Sequence, residues 1–175
     1  MDIIKVRNKF EISEFHQITH TLYNNIANWI PHIRQDVESV FNPLKNSYHK
    51  DGEIERFILR KNTQTIGRIS VFYNTRKKNK NDILTGGCGF FECINNQDAA
   101  NLLFQTCVDW LKKRNIEIMD GPINFGEKER YWGLLVEGFD KHTVYGQNYH
   151  LIIIKNYLRI LDLKHIIINM YIVKT

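Results

Sequence analysis

The pattern of apolar and polar residues changes period several times along this chain. Ile3 to Val6 reads as a short strand. From Glu11 to Asn24 the apolar residues fall at helical spacing (Phe15, Ile18, Leu22, then Ile26), which predicts an amphipathic helix with Ser13 close to its cap. A weaker helical pattern spans Ile30 to Phe41, entered through Pro31 and ended by Asn42-Pro43. The period then becomes two. Ile54 to Arg60 and Thr65 to Tyr73 read as strands across the turn residues Lys61-Asn62-Thr63, and Arg76 to Asp82 as a polar hairpin loop. Gly87 to Ile94 completes a three-stranded antiparallel meander.

A helical stripe follows. Ala100, Leu103, Phe104, Cys107, Val108 and Leu111 share one face, with Asn95 placed to cap, Asp98 in the first turn and Lys112-Lys113-Arg114 at the end. Ile116 to Met119 begins another strand. A strand, long helix and strand in succession form a crossover and require parallel neighbours in one sheet. The expected class is therefore α/β (α+β): a mixed, mostly antiparallel sheet with helices packed on both faces.

Composition changes this picture little. The 175 residues contain 24 Ile, 18 Asn and 15 Lys but only three Ala, as an A/T-rich genome would produce. The net charge of +5 partly inherits that bias, and without an aromatic-basic stripe it does not point to nucleic acid. Apolar runs such as Leu151 to Ile154 are far shorter than the roughly 20 residues of a membrane span. The start Met1-Asp2-Ile3-Ile4-Lys5 has no apolar signal core, so the expected location is cytoplasmic.

Cys88, Cys93 and Cys107 form no metal signature, and their odd number suggests reduced thiols. Cys88 and Cys93 are five residues apart, which on a regular strand places them on opposite faces. His16 and His20 are four apart on the first helix but have no carboxylate at a metal-site spacing, so no metal is expected. Gly86-Gly87-Cys88-Gly89 enters a strand rather than a helix, which favours a bulge or twist over a phosphate cradle.

The element order, together with Gly89-Phe90-Phe91-Glu92-Cys93, Gly121-Pro122-Ile123-Asn124-Phe125 and Trp132-Gly133-Leu134-Leu135-Val136-Glu137-Gly138-Phe139, resembles an uncharacterised bacterial group of GNAT-like N-acetyltransferases. The resemblance runs from about Ile54 to Tyr149. It implies that acetyl-CoA or another acyl-CoA is received along the third meander strand, at Phe91 and Cys93, with its phosphates at the following helix start, at Asn96, Gln97 and Asp98. The superfamily's Q/R-x-x-G-x-G/A loop is represented by Cys93 to Ala100, which has no glycine. Free amides at Asn96 to Ala100 would favour acyl-CoA binding; Asp98 filling that space would favour a non-catalytic binding module for a small molecule or protein.

Acyl transfer to an amine requires a base. Glu92 is the candidate, the alternative being a side chain on the solvent side of its strand. Asn124, Phe125 and Trp132 are candidates for a substrate pocket, the alternative being a packed loop with Asn124 bonded to its own backbone. The expected partner is an amine, small molecule or protein side chain.

Residues 1–149 form the expected GNAT-like domain, and 150–175 an atypical tail. From Tyr149 onward eight of 27 residues are Ile, with no Gly, Pro, Phe, Trp or Glu. The family continues instead with Pro-Tyr-Tyr, a short helix and Gly-Phe. Back-translated with A/T-rich codons and read one nucleotide earlier, Leu151 to Lys164 yields Pro-Tyr-Tyr-Tyr-Lys-Lys-Leu-Phe-Glu-Asp-Phe-Gly-Phe-Lys, so a frameshift near His150 is expected. Ile166 to Val173 retains strand propensity, and Tyr157 carries no role.

Overall fold

The computed structural model describes residues 1–79, 81–154 and 157, with the strand backbones 167–170 and 172–174. Strand β1 (Asp2–Lys5) is followed by helix α1 (Lys9–Tyr23). The cap is Asn8 rather than Ser13: its side chain accepts from the amides of Phe10 and Glu11, while the Glu11 carboxylate returns to the Asn8 amide at 3.1 Å. This reciprocal box fixes the helix start two residues earlier than the apolar spacing suggests. Helix α2 (Arg34–Phe41) is shorter than expected, and residues 30–33 stay outside it.

Strands β2 (Gly52–Lys61), β3 (Gln64–Lys78) and β4 (Leu84–Cys93) form the meander. The expected loop from Arg76 is partly strand. Backbone pairing resumes at Lys78↔Leu84, which keeps β3 extended as far as Lys78, while Arg76 pairs with Asp51 at 2.8 Å and Lys77 with Asp120 at 2.9 Å. Helix α3 (Gln97–Lys112) is capped by Asn96, whose side chain accepts from the Ala99 amide at 2.8 Å. Asn95, the expected cap, accepts from the Tyr157 hydroxyl at 2.8 Å instead. Strands β5 (Ile118–Gly121), β6 (Leu134–Glu137), β7 (Ile167–Met170) and β8 (Ile172–Lys174) complete the fold.

The main sheet has the order β1-β2-β3-β4-β5-β7, antiparallel up to β4 and parallel from β4 through β7, with β6 and β8 paired separately. The Ile-rich tail thus supplies strand backbone on both sides of Tyr171, while the rest of the tail beyond Tyr157 lies outside the described residues. Helices cover both faces. Leu103, Phe104, Cys107 and Leu111 of α3 pack with Leu59, Ile69 and Phe91 on one face. Phe15 of α1 and Val37 and Val40 of α2 pack with Ile58, Phe72 and Phe90 on the other. Among the described residues no helix is long and apolar enough to cross a membrane.

Two features of β4 shape the site. Pairing with β5 ends at Gly87↔Asp120; the Ile123 amide then donates to the Cys88 carbonyl at 2.8 Å, and β4 continues with strand pairing to β3 alone among the described residues. The glycine run serves this crossing. A Cβ on Gly89 would lie 2.1 Å from the Ile123 carbonyl oxygen, and one on Gly87 would lie 2.4 Å from the Phe72 ring. The bulge lies one step further on. Ser70 faces Gly89 and Arg68 faces Glu92, so two residues of β4 oppose Ile69 alone, with Phe90 at φ +50°. The extra residue inverts the alternation. Cys88 and Cys93 consequently point to the same α3-covered face, contrary to the regular-strand expectation. All three thiols are buried, and burial pushes Cys88 and Cys93 up to about 12.

A candidate active site around Glu92

The bulge also turns Glu92 toward α1. Its strand neighbour Arg68 lies directly opposite in the β3–β4 register, and Arg56 reaches the same sheet face from β2. A regular alternating strand places apolar residues at these inward positions; here charged side chains are buried beneath the helices.

Glu92 is not on a solvent face: it is 6% exposed. Its Oε2 accepts from the Tyr23 hydroxyl at 2.5 Å, and its Oε1 lies 3.8 Å from Arg68 Nη2. Tyr23 also approaches the Tyr149 carbonyl oxygen at 3.2 Å. Arg68 donates through Nη1 to the Phe15 carbonyl at 2.8 Å and lies 4.8 Å from the Phe15 ring centroid, while its Nε has no partner among the described residues. Burial raises the Glu92 carboxyl to about 7, against the opposing pull of Arg68 and Tyr23. Burial likewise drives Tyr23 well above its ordinary value, so Tyr23 is the donor of that short contact.

Three histidines, His16, His32 and His150, line the same small cavity, which has a volume of about 30 Å³, room for a water molecule. Burial, reinforced by Arg68, pulls His32 down to about 4. Burial, with His32 and Arg68 adding to it, pulls His150 down to about 3, and His150 Nδ1 accepts from the Leu135 amide at 3.3 Å. His16 belongs to a neighbouring cluster rather than to a pair with His20. It lies 2.7 Å from Glu38, which also accepts from both terminal nitrogens of Arg56 at 2.6 and 3.0 Å. Burial opposes the charge on Glu38, but its bonds to His16 and Arg56 prevail and hold it at about 2. His20 stacks edge-on against Trp29 instead. No three metal-ligating side chains converge among the described residues.

The positions expected to receive acyl-CoA divide. Phe91 and Cys93 are buried under α3, with the Phe91 and Phe104 ring centroids 4.4 Å apart, so neither presents its side chain to a ligand. Asn96 uses its side chain as the cap, and Gln97 donates to Asn101 at 2.8 Å. Asp98 is exposed. Asn124, Phe125 and Trp132 do meet, in a separate cavity of about 600 Å³ that does not include Glu92. Asn124 does not bond its own backbone through Oδ1, which is buried without a partner among the described residues. Sequence reasoning missed Tyr23, Arg68, His32 and His150. The available signal was an arginine in the apolar strand run Ile66 to Val71.

A mixed sheet whose parallel pair β4–β5 parts after Gly87, with α3 crossing between them, defines the GNAT-like N-acetyltransferase fold. A predicted acetyltransferase of Clostridium acetobutylicum, crystallised with acetyl-CoA, shares that fold. It superposes with a TM-score of 0.51 at 16% identity, covering 70% of this chain and 80% of the other. Glucosamine-6-phosphate N-acetyltransferase of Arabidopsis thaliana superposes with a TM-score of 0.45 at 15% identity, over 70% and 82% of the two chains.

In sequence the chain is similar to a bacterial ceramide synthase of Caulobacter vibrioides, 26% identical over 141 residues, and to protein YghO of Escherichia coli K12, 28% identical over 136 residues. These matches cover 80% and 76% of this chain but only 36% and 34% of those proteins, so the chain spans about a third of their length. No family model matches it.

Proposed function

We propose that this chain is an N-acyltransferase that moves an acyl group from acyl-CoA to an amine, with Glu92 as the base. One observation carries the reading: a buried carboxyl raised to about 7 stands at the bulge where β4 has left β5. A base poised near neutrality accepts and returns a proton at low cost. The neighbouring ceramide synthase supports an amine acceptor, because a ceramide is an amide of a long-chain amino alcohol.

The start of α3, with Asp98 turned to solvent, offers its first amides to the phosphates of acyl-CoA, whereas β4 from Gly89 to Cys93, although its strand pairing there is with β3 alone among the described residues, is buried, backbone included. When bound, acyl-CoA supplies a thioester carbonyl whose carbon–sulfur bond yields to an amine nitrogen with release of a thiol. Glu92 takes the proton that the acceptor's ammonium must lose. Tyr23 holds the carboxyl in place through its 2.5 Å contact, and Arg68 beside it steadies the ionised form.

The small volume beside Glu92 favours a second reading, a non-catalytic module that binds a small molecule or a protein partner. Calorimetric titration with acetyl-CoA and a long-chain acyl-CoA, followed by thiol release on adding amines, separates the two. Heat with amine-dependent thiol release that Glu92→Gln abolishes is the expected result. Heat without release at any amine favours the module, and no heat at high micromolar ligand rejects the acyltransferase.

A further inference from the structure

The cavity of about 600 Å³ between the end of β3 and the segment after β5 has no part in the chemistry described for Glu92 and shares no lining residue with the cavity there. Its volume lies within the range of about 300 to 1,000 Å³ typical of small-molecule sites. Four aromatic side chains line it: Tyr48, Phe72, Phe125 and Trp132. Phe125 touches two of the others, with the Phe72 ring 5.3 Å away in a tilted contact and Tyr48 5.9 Å away edge-on. Phe72 and Phe125 are 3% and 1% exposed, so this part of the wall is held rigidly by the core.

The charges around the cavity decide what it would take. Arg76 is already paired with Asp51 at 2.8 Å and Lys77 with Asp120 at 2.9 Å. Lys77 and Lys128 place their ammonium groups 5.7 and 5.8 Å from the Trp132 ring centroid, and Lys128 stands on the exposed rim between Glu127 and Glu129. Among the lining residues three cations, Arg76, Lys77 and Lys128, meet three carboxylates, Asp51, Glu127 and Glu129, leaving no net charge for a strongly ionic ligand to neutralise. What the cavity presents in excess is aromatic surface. We infer that it is a binding site for a neutral small molecule with a flat, apolar ring system, packed among Trp132, Tyr48 and Phe125. This inference does not depend on acyl transfer.

The test uses N-phenyl-1-naphthylamine, a neutral fluorophore that brightens in apolar surroundings, and its sulfonated counterpart 1-anilinonaphthalene-8-sulfonate. Saturable binding of the neutral probe to the full chain is expected at one site, with or without acyl-CoA present. Trp132→Ala and Tyr48→Ala, both at partly exposed positions, each weaken it by about five- to tenfold, and Trp132→Phe restores most of the loss. Circular dichroism of each variant reports its folding, and the Tyr48 variant serves if the Trp132 variant unfolds. Non-saturable binding, or binding unmoved by both alanine variants, overturns the site. A preference of more than about tenfold for the sulfonate that salt or Lys128→Glu removes overturns the neutral class.

Discussion

Replacing Glu92 by glutamine should change how stability depends on pH in a way that isolates one proton. Burial raises the folded-state value of Glu92 from the ordinary 4.5 to about 7, so across that interval the fold holds the proton more tightly than the unfolded chain does. The stability this confers is complete below pH 4.5 and is withdrawn as the pH rises toward 7. Each tenfold change in proton affinity corresponds to about 1.4 kcal/mol, which makes the loss about 3 kcal/mol across the interval. His32 and His150 run in the opposite sense. Burial favours their neutral forms, and they withdraw stability as the pH falls below 6.5 toward about 4 and about 3. The wild-type curve is the sum of these opposing slopes.

The difference between wild type and Glu92→Gln removes the histidines. Leaving Arg68 without a carboxylate adds an offset but no slope, because the guanidinium stays charged throughout. Urea unfolding from pH 4.5 to 8.5 at constant ionic strength should give a stability difference, wild type minus variant, that falls by about 3 kcal/mol up to pH 7 and then levels. A flat difference would refute the buried-carboxyl account. A difference that rises with pH would mean that the ion pair with Arg68, not burial, governs this carboxyl.

Other consequences are read more simply. Gly89→Ala places a methyl group 2.1 Å from the Ile123 carbonyl oxygen, a backbone contact that cannot swing aside, and should destabilise by about 2 kcal/mol or more in thermal or urea unfolding. Asn8→Ala removes the side-chain half of the α1 capping box and should cost about 1 kcal/mol in the same measurement. Cys88, Cys93 and Cys107 should resist a thiol-specific disulfide reagent in the native protein and react fully in urea, since burial both hides them and suppresses their thiolates.

The strongly periodic elements were legible in the sequence. The α3 stripe from Ala100 to Leu111 and the three-stranded meander announce a two-sided mixed sheet before any coordinates. What escaped was set by contacts distant in sequence. Lys77, near the end of β3, is joined to Asp120 by an ion pair, and the cap at Asn96 rather than Asn95 accompanies a contact from Tyr157. The candidate base was found from its strand position. Its surroundings were not, because Tyr23, Arg68 and His150 come from three separate segments that only the folded sheet and its helices bring together. Asn124, Phe125 and Trp132 line one cavity, and nothing in their spacing indicates that they stand apart from Glu92.

The bulge at Phe90 has a consequence for how β4 tolerates change. A strand of constant period sends every second side chain to the same helix layer along its whole length. Here that alternation slips by half a period in mid-strand, so the side chains of Thr85 to Cys93 fall into two short, offset rhythms. Losing a single residue at the slip would restore one rhythm and send Glu92 and Cys93 to each other's sides of the sheet. The carboxyl would then face the greasy underside of α3, and the thiol would take its place beside Tyr23.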